Sequence, residues 1–242
     1  MLYGICSDIH SNSVAFEAVL ESMKGFPLDR RICLGDLVGY GPNVNESVEL
    51  AQKNMDVCVI GNHDSAALGW ESCEGFNPFA RQAIEWTRNK LSADSRAVLE
   101  KLPYLHEENE ICFVHASPMS PADWIYIINL EDALDAFDHF SGKYCFVGHT
   151  HSPVIVAMRE MTIPKVIEED VYQLEEGERL LVNVGSVGQP RDRDPRACWC
   201  LFDTETEIVR LVRVAYDIAE TQRRMRAEGI SEFLVERLEV GR

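Results

Sequence analysis

Residues 3–10, YGICSDIH, combine an apolar run typical of a buried strand with two candidate metal ligands, Asp8 and His10. Four later runs have the same form, an apolar strand followed at once by Asp, Asn or His: RICLGD (31–36), DVCVIGNHD (56–64), ICFVH (111–115) and YCFVGHTH (144–151). In open α/β folds, ligands bind at the edge where parallel strands end, so we expect these polar residues to meet there. The pattern predicts an α/β fold with a ligand site at one sheet edge.

The polar residues that follow these runs are oxygen and nitrogen donors in the number and mixture that two neighbouring divalent metals require. They are Asp8, His10, Asp36, Asn62, His115, His149 and His151. Each motif alone is weak, since Asp-x-His is common on strands and a single histidine is often a satisfied core residue. Five of the seven histidines lie within the clusters, however, with only His106 and His139 outside. Such donors suit Mn, Fe, Co, Ni or Zn and predict two bound transition metal ions.

The composition favours a compact intracellular enzyme. With 242 residues, 46% of them hydrophobic, the chain can bury one large core, and we expect a single domain over residues 1–242. No leader precedes the first strand and no apolar run is long enough to cross a bilayer, so we expect a cytoplasmic protein without a membrane partner. The net charge of −17 disfavours polymeric nucleic acid, whose binding depends on Lys and Arg. A homo-oligomer is compatible with the sequence.

The eight cysteines are expected to be reduced. Cys6, Cys33, Cys58, Cys112 and Cys145 lie inside the apolar runs, where a small hydrophobic residue is wanted. The single C-x-C pair at residues 198–200 lacks the second pair or the spaced histidines that a zinc-thiolate site needs.

The order of elements is strand, helix, strand, helix at the start, which implies parallel strands. Asn12 or Ser13 is placed to cap the first helix. We expect a helical insertion at about residues 65–110 and terminal helices at about residues 217–239. The closely spaced strand candidates after residue 153 suggest a second sheet, mainly antiparallel or mixed.

In this order, SDIH, GDLVGYG, GNHD, VHAS and GHTH resemble the motifs of the calcineurin-like metallophosphoesterases, over residues 1 to about 203. The later NVGSVGQPRD and RACWCLFD look like the small bacterial and archaeal phosphodiesterase branch. This resemblance implies a four-layer sandwich of two facing mixed β-sheets flanked by helices. It also implies that one metal takes Asp8, His10 and His151, that the second takes Asn62, His115 and His149, and that Asp36 bridges them.

By the same resemblance, His63 meets the leaving group of the substrate. Asp64 is the nearest residue in sequence that could orient His63, although it could equally cap the following helix. Arg191, Ser186 and Asn12 are candidates to bind substrate, and Asn183 lies with Ser186 and Arg191 in the later motif. A local salt bridge of Arg191 with the neighbouring residues Asp192 or Asp194 is an equally good explanation for that arginine.

The aromatic residues near the motifs are candidates to roof the site and to stack on a base, or are ordinary core residues. They are Trp70, Phe76, Phe79, Trp86, Trp124 and Tyr126. Protein phosphatases carry an Asp-Arg pair where this chain has Gly39 and Tyr40, and Glu where it has Asp64, which disfavours that activity.

The resemblance implies hydrolysis of a small phosphodiester or nucleotide-type phosphoester by a metal-bridging hydroxide. The enzymatic alternative is a diadenosine polyphosphate hydrolase or another nucleotidase. A non-catalytic protein-binding scaffold of the same fold is a further alternative, but it predicts eroded ligands or loss of the catalytic histidine, and all of these residues are present.

Overall fold

The protein, described by a computed structural model over residues 1–73 and 75–242, contains two six-stranded sheets with helices on their outer faces. The strands are β1 (Leu2–Cys6), β2 (Arg30–Cys33), β3 (Val57–Cys58), β4 (Leu105–Glu108), β5 (Ile111–Val114), β6 (Tyr144–Val147), β7 (Val154–Arg159), β8 (Lys165–Ile167), β9 (Val171–Gln173), β10 (Glu178–Asn183), β11 (Ala197–Asp203) and β12 (Ile208–Val214). The helices are α1 (Ser13–Met23), α2 (Val44–Asn54), α3 (Asn62–Leu68), α4 (Pro78–Lys90), α5 (Ala93–Leu99), α6 (Leu130–Phe137), α7 (Ile218–Ala227) and α8 (Glu232–Val240), with a 3-10 turn at Pro121–Asp123.

Both sheets combine a parallel half with an antiparallel half. The first has the strand order β3-β2-β1-β11-β12-β9, in which β1, β2 and β3 run parallel and the others pair antiparallel. The second has the order β4-β5-β6-β10-β7-β8, in which β5, β6 and β10 run parallel. The predicted mixed sheets and the parallel start of the chain are confirmed.

The strands after residue 153 do not form a separate sheet, and that prediction was wrong. β9, β11 and β12 extend the first sheet beyond β1, whereas β7, β8 and β10 extend the second beyond β6. Each parallel half would otherwise end in an exposed edge of unpaired backbone groups. The later strands cover one such edge in each sheet.

The main core lies between the two sheets. Tyr3 and Phe202 from the first sheet and Phe113 and Phe146 from the second are fully buried there, with ring centroids 5.2–6.3 Å apart along the series. Burying an aromatic side chain of this kind contributes about 1.5–3 kcal/mol. Helices α1 and α2 pack against the outer face of the first sheet, and α6 packs against the outer face of the second. The four-layer sandwich is therefore confirmed.

The remaining helices lie in two stretches of the chain. Helices α3, α4 and α5 occupy the region of the expected insertion, whereas residues 105–108 within it form strand β4. Near the end of the chain, α8 packs against α4, with Phe233 stacked on Phe79 at 4.3 Å between ring centroids.

All eight cysteines are free thiols, as predicted. In the described residues, no helix combines the length and the apolar character needed to span a membrane.

Candidate metal centre and active site

Most of the predicted donors lie on sharp turns directly after parallel strands. β1, β2 and β6 end at Cys6, Cys33 and Val147, and the chain turns within the next few residues. Five of the seven donors have left-handed φ values between +48° and +65°, namely Asp8, His10, Asp36, His149 and His151. Non-glycine residues keep this conformation only where surrounding contacts enforce it, and such strain is concentrated at functional sites.

The donors of the first predicted set lie together. Asp8, His10, Asp36 and His151 are buried, and one ligand atom of each lies within 4.8 Å of the others. Nε2 of His151 is 3.3 Å from Oδ1 of Asp8 and 3.0 Å from Nε2 of His10. The same atom of His10 is 3.5 Å from Oδ2 of Asp36. Two carboxylates and two imidazoles therefore surround one point, as a transition metal requires.

In the second predicted set, His115 lies close to both Asn62 and Asp36. Nε2 of His115 is 3.1 Å from Oδ1 of Asn62 and 3.5 Å from Oδ2 of Asp36. The His149 ring lies 5.0 Å from the His115 ring, between centroids. Oδ2 of Asp36 therefore lies 3.5 Å from a histidine of each predicted set.

Backbone carbonyls fix which nitrogen each histidine presents. Nδ1 of His10 donates to Val38 O at 3.1 Å, and Nδ1 of His115 donates to Leu34 O at 2.8 Å. Nδ1 of His151 donates to the carbonyl of Gln189 at 2.6 Å. Since a carbonyl only accepts, these three rings carry the proton on Nδ1 and leave Nε2 free as a ligand.

His149 is held in the opposite sense. Its Nε2 donates to the carbonyl of Trp124 at 3.0 Å, which leaves Nδ1 as the free ring nitrogen. In His10, His115 and His151, the free Nε2 lies within 3.5 Å of another candidate metal ligand. All four histidines thus have a carbonyl partner that fixes the tautomer a metal ligand needs.

The charge of the cluster is also suited to divalent cations. Oδ2 of Asp8 accepts from the backbone N–H of His149 at 3.1 Å, while its buried Oδ1 has no hydrogen-bond partner within the described structure. Burial raises the pKa of Asp8 to about 7 and that of Asp36 well above the ordinary range. No Lys or Arg of the described chain forms an ion pair with either carboxylate. A dication would supply the missing countercharge, so the donor set fits the metal.

The same burial keeps the imidazoles neutral. It lowers the pKa of His10, His149 and His151 well below the ordinary value for histidine. Only a neutral imidazole has a free nitrogen lone pair for a metal.

His63 lies beside the cluster, at the wall of a cavity. Its ring packs against Tyr40 at 4.5 Å and edge-on against Phe76 at 5.2 Å, between centroids. Its buried Nδ1 has no hydrogen-bond partner in the described residues. A Cβ at Gly39, where φ is +101°, would lie 2.5 Å from that nitrogen. A side chain at residue 39 would collide with the His63 ring, so glycine is needed there.

Asp64 caps helix α3 instead of orienting His63. One carboxylate oxygen accepts from the backbone N–H of Val38 at 3.0 Å and the other accepts from that of Gly61 at 3.1 Å. Of the two roles the sequence allowed, the structure shows the capping one. Asp64 joins the loop of Asp36 to the helix that carries Asn62.

The cavity beside His63 has a volume of about 440 Å³. Its lining combines site residues with aromatic residues of two loops: Tyr40, Asn62, His63, Phe76, Trp124, Tyr126, His149 and Arg191. Of the predicted roof residues, Phe79 and Trp86 line a separate cavity of about 40 Å³, and Trp70 is 48% exposed. Three of the six aromatic candidates therefore reach the site.

Arg191 points toward the cavity and is not paired with its acidic neighbours. Its Nη2 donates to the side-chain oxygen of Gln189 at 3.0 Å and approaches Tyr40 Oη at 3.3 Å. Asp192 pairs with Arg213, and Asp194 pairs with Arg196 at 2.6 Å. The local salt bridge considered for Arg191 is therefore absent from the described structure, and its guanidinium keeps its charge for another anion.

The other substrate-binding candidates hold loops in place. Asn12 caps α1 by accepting from Ala15 N–H, and its amide donates to Gly188 O at 3.1 Å. Ser186 donates to the carbonyl of Asp8 at 2.9 Å. Neither residue lines the cavity, so the prediction that they contact substrate is not supported. Asn183 likewise donates to Gly148 O at 2.5 Å.

Comparison with known proteins identifies the family. The calcineurin-like phosphoesterase superfamily domain matches residues 1–207. A metallophosphoesterase from Sphaerobacter thermophilus is 42% identical, with a TM-score of 0.87 over 100% of this chain and 99% of that one. An uncharacterized protein of Methanocaldococcus jannaschii is 38% identical over 100% of this chain and 98% of its own length.

A hypothetical protein of Pyrococcus horikoshii shares the fold at 20% identity, with a TM-score of 0.79 over 100% of this chain and 98% of that one. The family match covers all five strand-and-donor motifs and the later loop. The chain therefore belongs to the calcineurin-like phosphoesterase superfamily and is a phosphoesterase.

Proposed function

We propose that the protein hydrolyses a small phosphodiester or nucleotide-type phosphoester at a dinuclear metal centre carried by a single domain over residues 1–242. The observation that carries the proposal is the position of Asp36, whose Oδ2 is 3.5 Å from Nε2 of His10 and 3.5 Å from Nε2 of His115. One carboxylate oxygen between two histidine clusters is the arrangement expected of a ligand shared by two cations.

The residues that would hold the metals divide around that carboxylate. Asp8, His10 and His151 would bind one ion with Asp36, and Asn62, His115 and His149 would bind the other. Two dications held by these residues would lower the pKa of water toward neutrality and neutralise charge on the phosphoryl oxygens. Mn, Fe, Co, Ni and Zn all accept this donor set.

His63 would deliver a proton to the departing oxygen. In the free protein, burial and then the charge of Arg191 lower the pKa of its imidazole well below the ordinary value. An anionic phosphoryl group beside the ring would raise that pKa again, because it stabilises the imidazolium. Protonation of His63 would thus accompany substrate binding.

Arg191 would bind a phosphoryl oxygen. Its contacts with Gln189 and Tyr40 hold the guanidinium at the cavity. Both are made by Nη2, so they use only some of the five N–H donors of the guanidinium. Buried Nε of Arg191 has no partner in the described residues. A planar fork with free N–H groups suits a phosphate, which can accept two parallel hydrogen bonds.

The aromatic lining favours a substrate with a planar organic group. Tyr126 stacks on His149 at 3.9 Å between centroids and is 50% exposed at the cavity. Stacking of a nucleobase on such a ring is worth about 1–3 kcal/mol. This supports a nucleotide-type diester and keeps a diadenosine polyphosphate hydrolase or other nucleotidase as the second candidate.

A substrate panel tests the proposal. Metal-loaded protein is assayed on aryl and nucleotide diesters, monoesters, dinucleotide polyphosphates and phosphoserine peptides. We expect the highest kcat/KM on a diester or dinucleotide polyphosphate and poor turnover of peptides, since Gly39 and Tyr40 replace the phosphate-binding pair of protein phosphatases. Efficient peptide dephosphorylation, equal to the best diester, argues against the proposed substrate class.

A further inference from the structure

We infer that Glu71 is a positioning residue for the second metal, acting through Trp124 on the ligand His149. The inference rests on the proposed dinuclear function. It concerns the segment that links α3 to α4, which lies outside the strand-and-donor motifs.

Glu71 connects two parts of the site through one carboxylate oxygen. Oε1 accepts from the hydroxyl of Ser65 at 2.7 Å and from the indole N–H of Trp124 at 2.6 Å. Ser65 belongs to α3, the helix that begins at the donor Asn62. The main chain of Glu71 is itself anchored, because its carbonyl accepts from Arg88 of α4 at 3.3 Å. Glu71 therefore ties the Trp124 loop to the helix that bears Asn62.

Trp124 contacts both histidines of the second set. Its carbonyl accepts from Nε2 of His149 at 3.0 Å, and its indole ring meets His115 edge-on at 5.9 Å between centroids. Its φ is +54°, a left-handed value that a residue other than glycine keeps only under constraint. The hydrogen bond from the indole to Glu71 is a constraint of this kind, since it ties the side chain to a different segment of the chain.

The carbonyl of Trp124 determines the tautomer of His149. While it accepts from Nε2–H, the ring presents Nδ1 as the ligand nitrogen. If the loop moves, the proton can shift to Nδ1 or the ring can rotate, and Nδ1 is then no longer held as the free nitrogen that would bind the metal. His10 and His151 depend on the carbonyls of Val38 and Gln189 instead. Loss of Glu71 should therefore lower the affinity for the second metal and leave the affinity for the first unchanged.

The test is calorimetric titration of Mn²⁺ into chelator-treated full-length protein. The variants are Glu71→Ala, Glu71→Gln, Trp124→Phe and the Glu71→Ala/Trp124→Phe double variant, with His149→Ala to identify the second binding step. Removing a partner that orients a ligand typically costs about 10–100-fold in metal affinity. We expect a loss of that size in the second step for Glu71→Ala and Trp124→Phe, and about a twofold change or less in the first.

Two controls separate positioning from general destabilisation. Glu71→Gln should retain near-normal affinity, since its amide oxygen still accepts from both donors, and Glu85→Ala on the exposed face of α4 should change nothing. The double variant should bind the second metal no worse than either single variant, because both break the same hydrogen bond.

The outcomes separate the role of Glu71 from the proposed dinuclear function. Two metals in the wild type with an unchanged second step in Glu71→Ala overturn the role of Glu71 and leave the proposed function intact. Full additivity of the two substitutions also overturns it. A wild-type chain that binds one metal only overturns the proposed function itself.

Discussion

Oδ1 of Asp36 accepts a hydrogen bond from the backbone N–H of His63, with the two atoms 2.8 Å apart. Its other oxygen, Oδ2, faces His10 and His115 of the two donor sets. A Cβ at Gly61 would lie 2.1 Å from Oδ1, so this contact needs glycine just before the helix of His63. One side chain thus positions the candidate general acid and joins the two candidate metal positions.

Asp36→Asn should remove both metals. The amide oxygen can still accept from His63 N–H, so the fold is kept while the shared negative charge is lost. We expect elemental analysis after gel filtration to give well under one metal per chain, compared with about one for His115→Ala and two for the wild type. Retention of two metals by Asp36→Asn would mean that this residue is not the shared ligand.

His63→Ala should lose rate but keep its metals. General acid catalysis is typically worth about 10²–10⁴-fold and matters most when the leaving oxygen is basic. The fall in kcat should therefore be large for an alkyl or ribose leaving group and much smaller for p-nitrophenolate. An equal fall in kcat for both leaving groups, at unchanged metal content, would instead indicate that His63 stabilises the phosphoryl oxygens and does not deliver a proton.

Arg191→Ala should weaken substrate binding without affecting the metals. A hydrogen bond to a charged group contributes about 1.5–3 kcal/mol, so kcat/KM should fall by about 10- to 100-fold. Arg191→Lys should recover only part of this loss, because the ammonium lacks the planar fork. Arg196→Ala, which breaks the exposed pair with Asp194, is the matched control and should leave kcat/KM unchanged. Equal effects of Arg191→Ala and Arg196→Ala on kcat/KM would show that Arg191 does not bind substrate.

Glu178 should contribute to stability in a pH-dependent way. Burial acts to raise its pKa, but the hydrogen bonds from Lys165 at 2.8 Å and Tyr172 at 2.6 Å bring the pKa below the ordinary value. Because the folded pKa lies below the unfolded one, this stability is present above the unfolded pKa of about 4.3 and is lost as the pH falls through the folded pKa. Glu178→Gln should therefore have a lower Tm than the wild type at pH 7, and the gap should close in acid. A Tm difference that is constant from pH 7 to pH 3 would exclude this linkage.

The sequence predicts the candidate donors because apolar strands and the polar residues after them are local features. Asp8 and Asp36 follow neighbouring parallel strands, so a pattern along the chain locates them in space. The pairing of the later strands was missed, since it depends on which sheet edge remains open once β1 and β6 have found partners. That is a property of the whole fold.

Other features of the site are invisible to side-chain patterns. The carbonyls of Val38, Leu34, Gln189 and Trp124 fix the histidine tautomers, but any residue has a carbonyl. Among the described residues, Arg191 has no acidic partner because Asp192 pairs with Arg213 of β12, which is distant in sequence. The sequence identifies Tyr40 only as a departure from protein phosphatases, whereas in the structure it packs on His63 and contacts Arg191.

The most direct test of the dinuclear centre is the metal equivalence of activity. Chelator-treated protein at a concentration far above the metal dissociation constants is titrated with Mn²⁺ while hydrolysis of an aryl phosphodiester is followed. If Asp36 joins two sites, activity should rise to a plateau at about two Mn²⁺ per chain, and Asp36→Asn should stay inactive throughout. A plateau at one equivalent, or full activity of the chelator-treated protein, would contradict the account.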